Sequence, residues 1–276
     1  MKSKTPLSLV GSGYENSNNL AAREDLHRKF PTEGLSFRAW ELHAVESVIA
    51  RSMTVVDVAA GRGSFWSNAF LDQSIDWQSK TLIACDLSSA MIKALAGLAP
   101  NRLLTLRCSM DALPFKSETI DLLICHSALH YSVDPLRTIN QFRETLSAEG
   151  RVSIVVSGNG NMQELHEFFE QGGYGIDLSE RPLKRFYEPQ MDALIERSST
   201  LAEVASKFIW QSVLRISAAT PVVEYFVSHP EVAASQRSDE IRHDLLHRLN
   251  ERLRAEGELL VRRRQCHYLI SSVGAG

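Results

Sequence analysis

The sequence predicts an α/β fold: a doubly wound, mostly parallel sheet with an antiparallel edge strand and a helical N-terminal cap. Three observations predict it. Short apolar runs read as strands buried on both faces, amphipathic stretches alternate with them, and glycine or aspartate follows the first runs directly. A polar opening over residues 11–19 leads into two helical patterns at about 20–30 and 37–52, which form the cap. The first strand is Thr54-Val55-Val56-Asp57-Val58, ending in Gly61-Arg62-Gly63, and the second is Thr81-Leu82-Ile83-Ala84-Cys85, ending at Asp86. Ala90, Met91, Ala94, Leu95 and Leu98 then recur at helical spacing behind an N-cap at Ser88 or Ser89. Strands at 103–108 and 120–125 continue the series. A helix near 135–146 turns Leu136, Ile139, Phe142 and Leu146 inward, and a fifth strand follows at 152–156. Past Ser157 the pattern loosens into a helical stretch to about Gln171 and a mobile loop, Gly172-Gly173-Tyr174-Gly175. Strands at 207–216 and 263–272 flank a helix with Ile241, Leu245, Leu249 and Leu253 at four-residue spacing, and this strand pair forms the antiparallel edge.

Composition excludes several classes of protein. Hydrophobic residues at 44% and charged residues at 23% suit a globular chain and exclude disordered and disulfide-stapled ones. A formal charge of -3, from 30 Lys+Arg against 33 Asp+Glu, gives no global field favouring nucleic acid or an anionic membrane. No apolar stretch reaches the roughly 18 residues of a spanning helix, and the first ten residues lack a signal-peptide core, so the expected compartment is the cytoplasm. The four cysteines, at 85, 108, 125 and 266, form no CxxC pair and read as reduced thiols, with no metal site.

In open parallel sheets, ligands bind beyond the carboxyl ends of the strands, so the residues after each run carry the functional information. Gly61 and Gly63 let the chain turn tightly and approach a ligand at the start of a helix. Asp86, 23 residues past Gly63, stands where an acidic side chain grips ribose hydroxyls. A nicotinamide dinucleotide reading wants a third glycine where this chain has Trp66, and a bulky indole there opposes it.

Three motifs carry a resemblance: Asp57 to Gly63, Asp86-Leu87-Ser88-Ser89-Ala90-Met91, and Ser109-Met110-Asp111-Ala112-Leu113-Pro114-Phe115 with the run that follows. In their order and spacing the chain resembles the class I S-adenosylmethionine-dependent methyltransferases. The nearest subgroup is the small-molecule one that includes quinone-biosynthesis and malonyl-carrier-protein methyltransferases. The resemblance covers about residues 50–157 and implies a Rossmann-like fold. It implies a single domain over 1–276, with a cap at 1–52, a cofactor-binding core at 53–157 and substrate-side insertions with antiparallel edge strands at 158–276. It also implies S-adenosylmethionine as cofactor. Gly61 and Gly63 would lie against its methionine portion and Asp86 on its ribose, with Leu87 and Met91 nearby. Met110 would offer a backbone N–H to the adenine, and Ser109 or Asp111 would meet the exocyclic amine. Asp57, Ala59, Cys125 and His126 complete the implied cofactor contacts. The chain departs from the family pattern at Ala59, where glycine is usual, and at Ser109, where aspartate is usual.

The fourth strand ends in Cys125-His126-Ser127-Ala128-Leu129-His130-Tyr131 beside the expected sulfonium. Histidine titrates near neutrality, so His130 is the first candidate base and His126 the second. Tyr14, Tyr131 and Tyr174, with Phe186 and Tyr187, are candidate acceptor contacts. Core packing is the expected role of Phe65 and Trp66. From Arg237 to Arg264 there are eight arginines against six carboxylates. These read as a solvated helix and a charged edge strand, the alternative being a surface for an acidic carrier protein. The N/D-P-P-Y/F tetrapeptide of base-methylating enzymes is absent after the fourth strand. The expected partner is therefore a small-molecule acceptor and not nucleic acid. The competing reading keeps the fold and drops the transfer, leaving a regulatory binder of the cofactor or a non-methylating enzyme.

Overall fold

The structure, a computed structural model, describes residues 17–30, 34–99, 101–176, 178, 187–198 and 205–272. Strands β1 (Thr54–Val58), β2 (Thr81–Asp86) and β4 (Ile120–His126) form where the apolar runs lie. Val55, Val56, Leu82, Ala84 and residues 122–125 are at most 1% exposed, as covering by helices on both faces requires. With β3 (Leu104–Arg107), β5 (Leu146–Ser157), β6 (Ala205–Ile216) and β7 (Leu259–Ser271) they make one sheet in the order β3-β2-β1-β4-β5-β7-β6. The first five strands pair in parallel, while β7 runs antiparallel to both β5 and β6. The order reverses between β1 and β4, and the crevice that such a switch opens lies at the carboxyl ends of those two strands.

Helices α1 (Ser17–Lys29), α2 (Phe37–His43) and α3 (Glu46–Arg51) precede the sheet. The helical pattern expected across 37–52 breaks at Ala44 and Val45 into two short helices. Helices α4 (Ser64–Ala69) and α5 (Ser89–Leu98) follow β1 and β2, and the Ser88 hydroxyl caps α5 by accepting from the Met91 N–H. Asp134 caps α6 (Pro135–Glu144) with Pro135 in its first turn. Leu136 is 40% exposed instead of inward, and Leu146 opens β5 instead of ending the helix; Ile139 and Phe142 alone carry the inner stripe. Helices α7 (Gln163–Glu170), α8 (Glu188–Arg197), α9 (Ala219–Val227), α10 (Pro230–Ala233) and α11 (Ser238–Glu256) complete the described elements. Ile241, Leu245 and Leu249 of α11 pack with Leu26 of α1, with α7 and α9, and with Leu259 and Val261 of β7.

Strand β7 begins four residues before the expected start and lies inside the sheet, so Arg262-Arg263-Arg264 is not an edge. Arg262 and Arg264 reach Glu164 and Glu188, whereas Arg263 is only 8% exposed. All four cysteines are free thiols. Among the described residues no helix is long and apolar enough to cross a membrane.

Candidate functional site

At the carboxyl ends of β1, β2 and β4 a cleft is lined by Asp57, Ala59 to Arg62, Ser64 and Phe65, by Asp86 and Leu87, by Cys108 to Asp111, and by His126 to Ala128 with Tyr131. Leu20 and Glu24 of α1 and Arg38 of α2 close its cap side. The loop is shaped by backbone geometry. Gly61 and Gly63 adopt left-handed φ values of 59° and 81°, and the Gly61 N–H donates to Asp86 Oδ2 at 3.0 Å. Asp86 Oδ1 accepts from the Ser88 N–H at 2.8 Å, so this carboxylate ties the glycine loop to the start of α5. Burial raises the Asp86 pKa. Burial, then the charges of Glu41 and Asp86, push Asp57 well above the usual carboxylate range.

Ala59, the departure from glycine, sits at φ 56°, and Ser127 sits at φ 55°. Two non-glycine residues in the left-handed region thus line the cleft just past the ends of β1 and β4, a concentration of strain typical of working sites. Replacing Ala59 by glycine should relieve more strain than it adds chain entropy. The expected gain is about 0.5–1 kcal/mol of stability, read as a higher urea midpoint. A lower midpoint would show that the Ala59 methyl is needed for packing.

Several expected contacts lie elsewhere. Gly63 is outside the lining; a Cβ there would come within 2.8 Å of Leu98 and 2.9 Å of Leu95, so this glycine admits α5 against the loop. Met91, 1% exposed, and Cys125, fully buried, point into the core instead of the cleft. Asp111 lines the cleft, but its carboxylate accepts from the Ser132 hydroxyl at 2.9 Å and the Thr138 hydroxyl at 2.8 Å, which anchor it to the start of α6. Ser109 accepts from the Asp111 N–H at 3.2 Å.

The two histidines are not equivalent. His130 is outside the lining and packs its ring 4.1 Å from that of Tyr131. Burial, with help from Arg23, lowers its pKa to about 3, which makes it a poor proton acceptor near neutrality. The first candidate base thus lies outside the cleft lining. His126 does line the cleft: Nε2 hydrogen-bonds the Ser153 hydroxyl at 2.7 Å, while Nδ1 lies 3.2 Å from Glu41 Oε1 without making a hydrogen bond. Burial opposes ionisation of Glu41, but Arg38 and then His126 outweigh it and hold the carboxyl below its ordinary range. Ser153 continues to His267 Nε2 at 2.8 Å, so a buried polar chain runs from the cleft across three strands.

Tyr131 is at the cleft, whereas Tyr174 is not. Tyr174 is buried beside Phe169, donates to Asp244 at 2.5 Å and accepts from Arg248 at 3.0 Å; burial, then Asp244, pushes its pKa up to about 12. Tyr14 and Phe186 lie outside the described residues, and Tyr187 precedes α8 away from the cleft. Phe65 and Trp66 are buried as expected, though Phe65 also forms part of the cleft wall. The sequence reading missed Leu20, Glu24, Arg38 and Glu41.

Residues 56–154 match the family described as Methyltransferase domain. The chain thus matches that family from β1 to β5. Its fold is also that of solved structures with low sequence identity. The YcgJ protein from Bacillus subtilis is 15% identical, with 85% of this chain and 98% of that one covered at a TM-score of 0.55. The plantazolicin methyltransferase solved with S-adenosylhomocysteine is 13% identical, with 97% and 95% covered at 0.53. The [4+2]-cyclase SpnF is 12% identical, with 99% and 98% covered at 0.54. A search of curated proteins returns no match. Glu24, Asp57, Asp86 and Asp111 line the cleft together with Arg38 and Arg62.

Proposed function

We propose that the protein transfers the methyl group of S-adenosylmethionine to an oxygen or nitrogen atom of a small organic acceptor, leaving S-adenosylhomocysteine. The observation that carries this reading is the convergence of Gly61, Asp86, Met110 and His126 on one cleft at the switch point of a methyltransferase domain. When bound, the cofactor supplies an electrophilic methyl carbon on a positively charged sulfur. The chain's own task is then to hold an acceptor in line with it and to exclude water. Asp86 would hold the ribose hydroxyls and Met110 the adenine edge, while the Gly61 loop shapes the floor. Tyr131, which lines the same cleft, would contact the acceptor. His126 is a positioning group, since both of its nitrogens already have neighbours. The charge of -3 and the free thiols support a cytoplasmic reaction on a small molecule and not on nucleic acid.

Calorimetric titration of the protein with S-adenosylmethionine, S-adenosylhomocysteine and NADH, without acceptor, tests the reading. Micromolar binding of both sulfur nucleosides and none of NADH is the expected result. Binding of NADH alone would replace methyl transfer with hydride chemistry.

A further inference from the structure

The face of the sheet beneath the cap holds more unmet polar groups than a core tolerates. Arg263, Gln265 and His267 alternate along β7 and so share that face, with Ser212, Trp210 and Phe208 opposite them on β6. Among the described residues Ser212 Oγ, Gln265 Oε1, His267 Nδ1 and His27 Nδ1 are buried without a hydrogen-bond partner. Native interiors leave few such atoms, and a cluster of them asks for a partner.

Arg263 is the most unusual member. Its neighbours in sequence are paired, Arg262 with Glu164 at 2.5 Å and Arg264 with Glu188 at 2.7 Å. Arg263, 8% exposed, has no carboxylate within ion-pairing distance among the described residues, and its guanidinium lies 4.5 Å from the centre of the Trp210 ring. Burial, then Arg38, lowers its pKa to about 10. The surrounding charge offers no compensation, because Arg38 is committed to Glu41 and the His27 ring is held neutral, its pKa near 3 through burial and then the charges of Arg263 and Arg38. A buried guanidinium without a counter-ion is costly unless an anion completes it. Aromatic walls stand beside it: Phe37 lies 5.3 Å and Trp40 6.4 Å from Trp210, centre to centre. The seam adjoins the cleft: the His267 ring lies 6.0 Å, centre to centre, from that of His126, which lines the cleft.

We propose that this seam between α1, α2, β6 and β7 binds the acceptor as an aromatic carboxylate, with its carboxylate on Arg263 and its ring against Trp40 and Trp210. The unmet Gln265 Oε1 and Ser212 Oγ suit a ring hydroxyl, which can donate to either. The role as acceptor rests on the methyl-transfer reading; the binding itself does not.

The test is calorimetric titration of the full chain, with and without saturating S-adenosylhomocysteine, using 4-hydroxybenzoate and its neutral isostere 4-hydroxybenzamide as probes. Hydroxybenzoate should bind at least about tenfold more tightly than the amide, the scale of a charge-assisted contact. Arg263→Met should lose that preference, keep its affinity for S-adenosylhomocysteine and melt at a higher temperature without ligand, because an unpaired buried charge is gone. Equal binding of acid and amide, or of the acid by wild type and variant, overturns the proposal. So does failure of hydroxybenzoate to bind wild-type protein. The acid-against-amide comparison needs no variant and stands even if Arg263→Met fails to fold. Absence of S-adenosylhomocysteine binding alongside selective hydroxybenzoate binding would sink the methyl-transfer reading and leave the carboxylate site intact.

Discussion

Trp66→Ala is expected to cost about 3–5 kcal/mol of stability, the range for emptying a large aromatic from a packed core. Trp66 is fully buried on α4 and meets Phe65, Phe70 and Trp77 at centroid distances of 5.3, 5.5 and 6.2 Å. Truncation leaves a cavity that three rigid rings cannot collapse into. Helix α4 begins at Ser64, directly behind Gly63, so the same change should loosen the glycine loop and weaken cofactor binding as well. Urea denaturation measures the first effect and calorimetry the second. A loss below about 1 kcal/mol would mean that the cluster repacks, and that the indole does not set the position of the loop. Trp66→Phe, which keeps the ring contacts, should recover most of the difference.

Asp86→Ala should weaken binding of S-adenosylhomocysteine by about 1.5–3 kcal/mol, roughly 10- to 150-fold, the worth of hydrogen bonds to a charged group. The carboxylate already accepts from the Gly61 and Ser88 N–H groups, so its removal both deletes the proposed ribose contact and unties the loop from α5. Asp86→Asn keeps one acceptor and should fall between wild type and alanine. The pH dependence has a definite sign. Burial raises the Asp86 pKa, so the carboxyl protonates in milder acid than an ordinary aspartate, and affinity should fall as pH drops through that raised value. Unchanged affinity in Asp86→Ala would remove the ribose assignment.

What the sequence revealed follows from the range over which each signal acts. β1, β2 and β4 were readable because covering on both faces turns a whole strand apolar, and Ser88 because a cap is decided within four residues. Asp86 and the Gly61 loop were readable because their positions follow from strand ends. The cap side of the cleft was not readable, since Arg38 and Glu41 acquire meaning only by packing against β4 and β7 far along the chain; the Trp210 indole donating to the Leu35 carbonyl spans 175 residues. Tyr174 was misread for a similar reason. Its flanking glycines suggest a mobile loop, yet Asp244 and Arg248, about 70 residues later, fix the side chain in the core. His130 shows a subtler limit. A strand end predicts that residues converge on a site, but the short helix at Leu129–Tyr131 turns His130 away while leaving Tyr131 facing in.

The position of β7 constrains the order in which the molecule is assembled. β6 precedes it in sequence by more than forty residues but has no place on the sheet until β7 arrives, because β7 alone joins it to β5. During synthesis β5 therefore presents an open edge while the whole of β6, α9, α10 and α11 is being made, and closure depends on pairings such as Arg151 with Ser271, 120 residues apart. Such closure is late and slow. The step that completes the sheet is also the one that carries Arg263 and His267 beneath the cap, so a nascent chain acquires its glycine loop long before it acquires its acceptor seam.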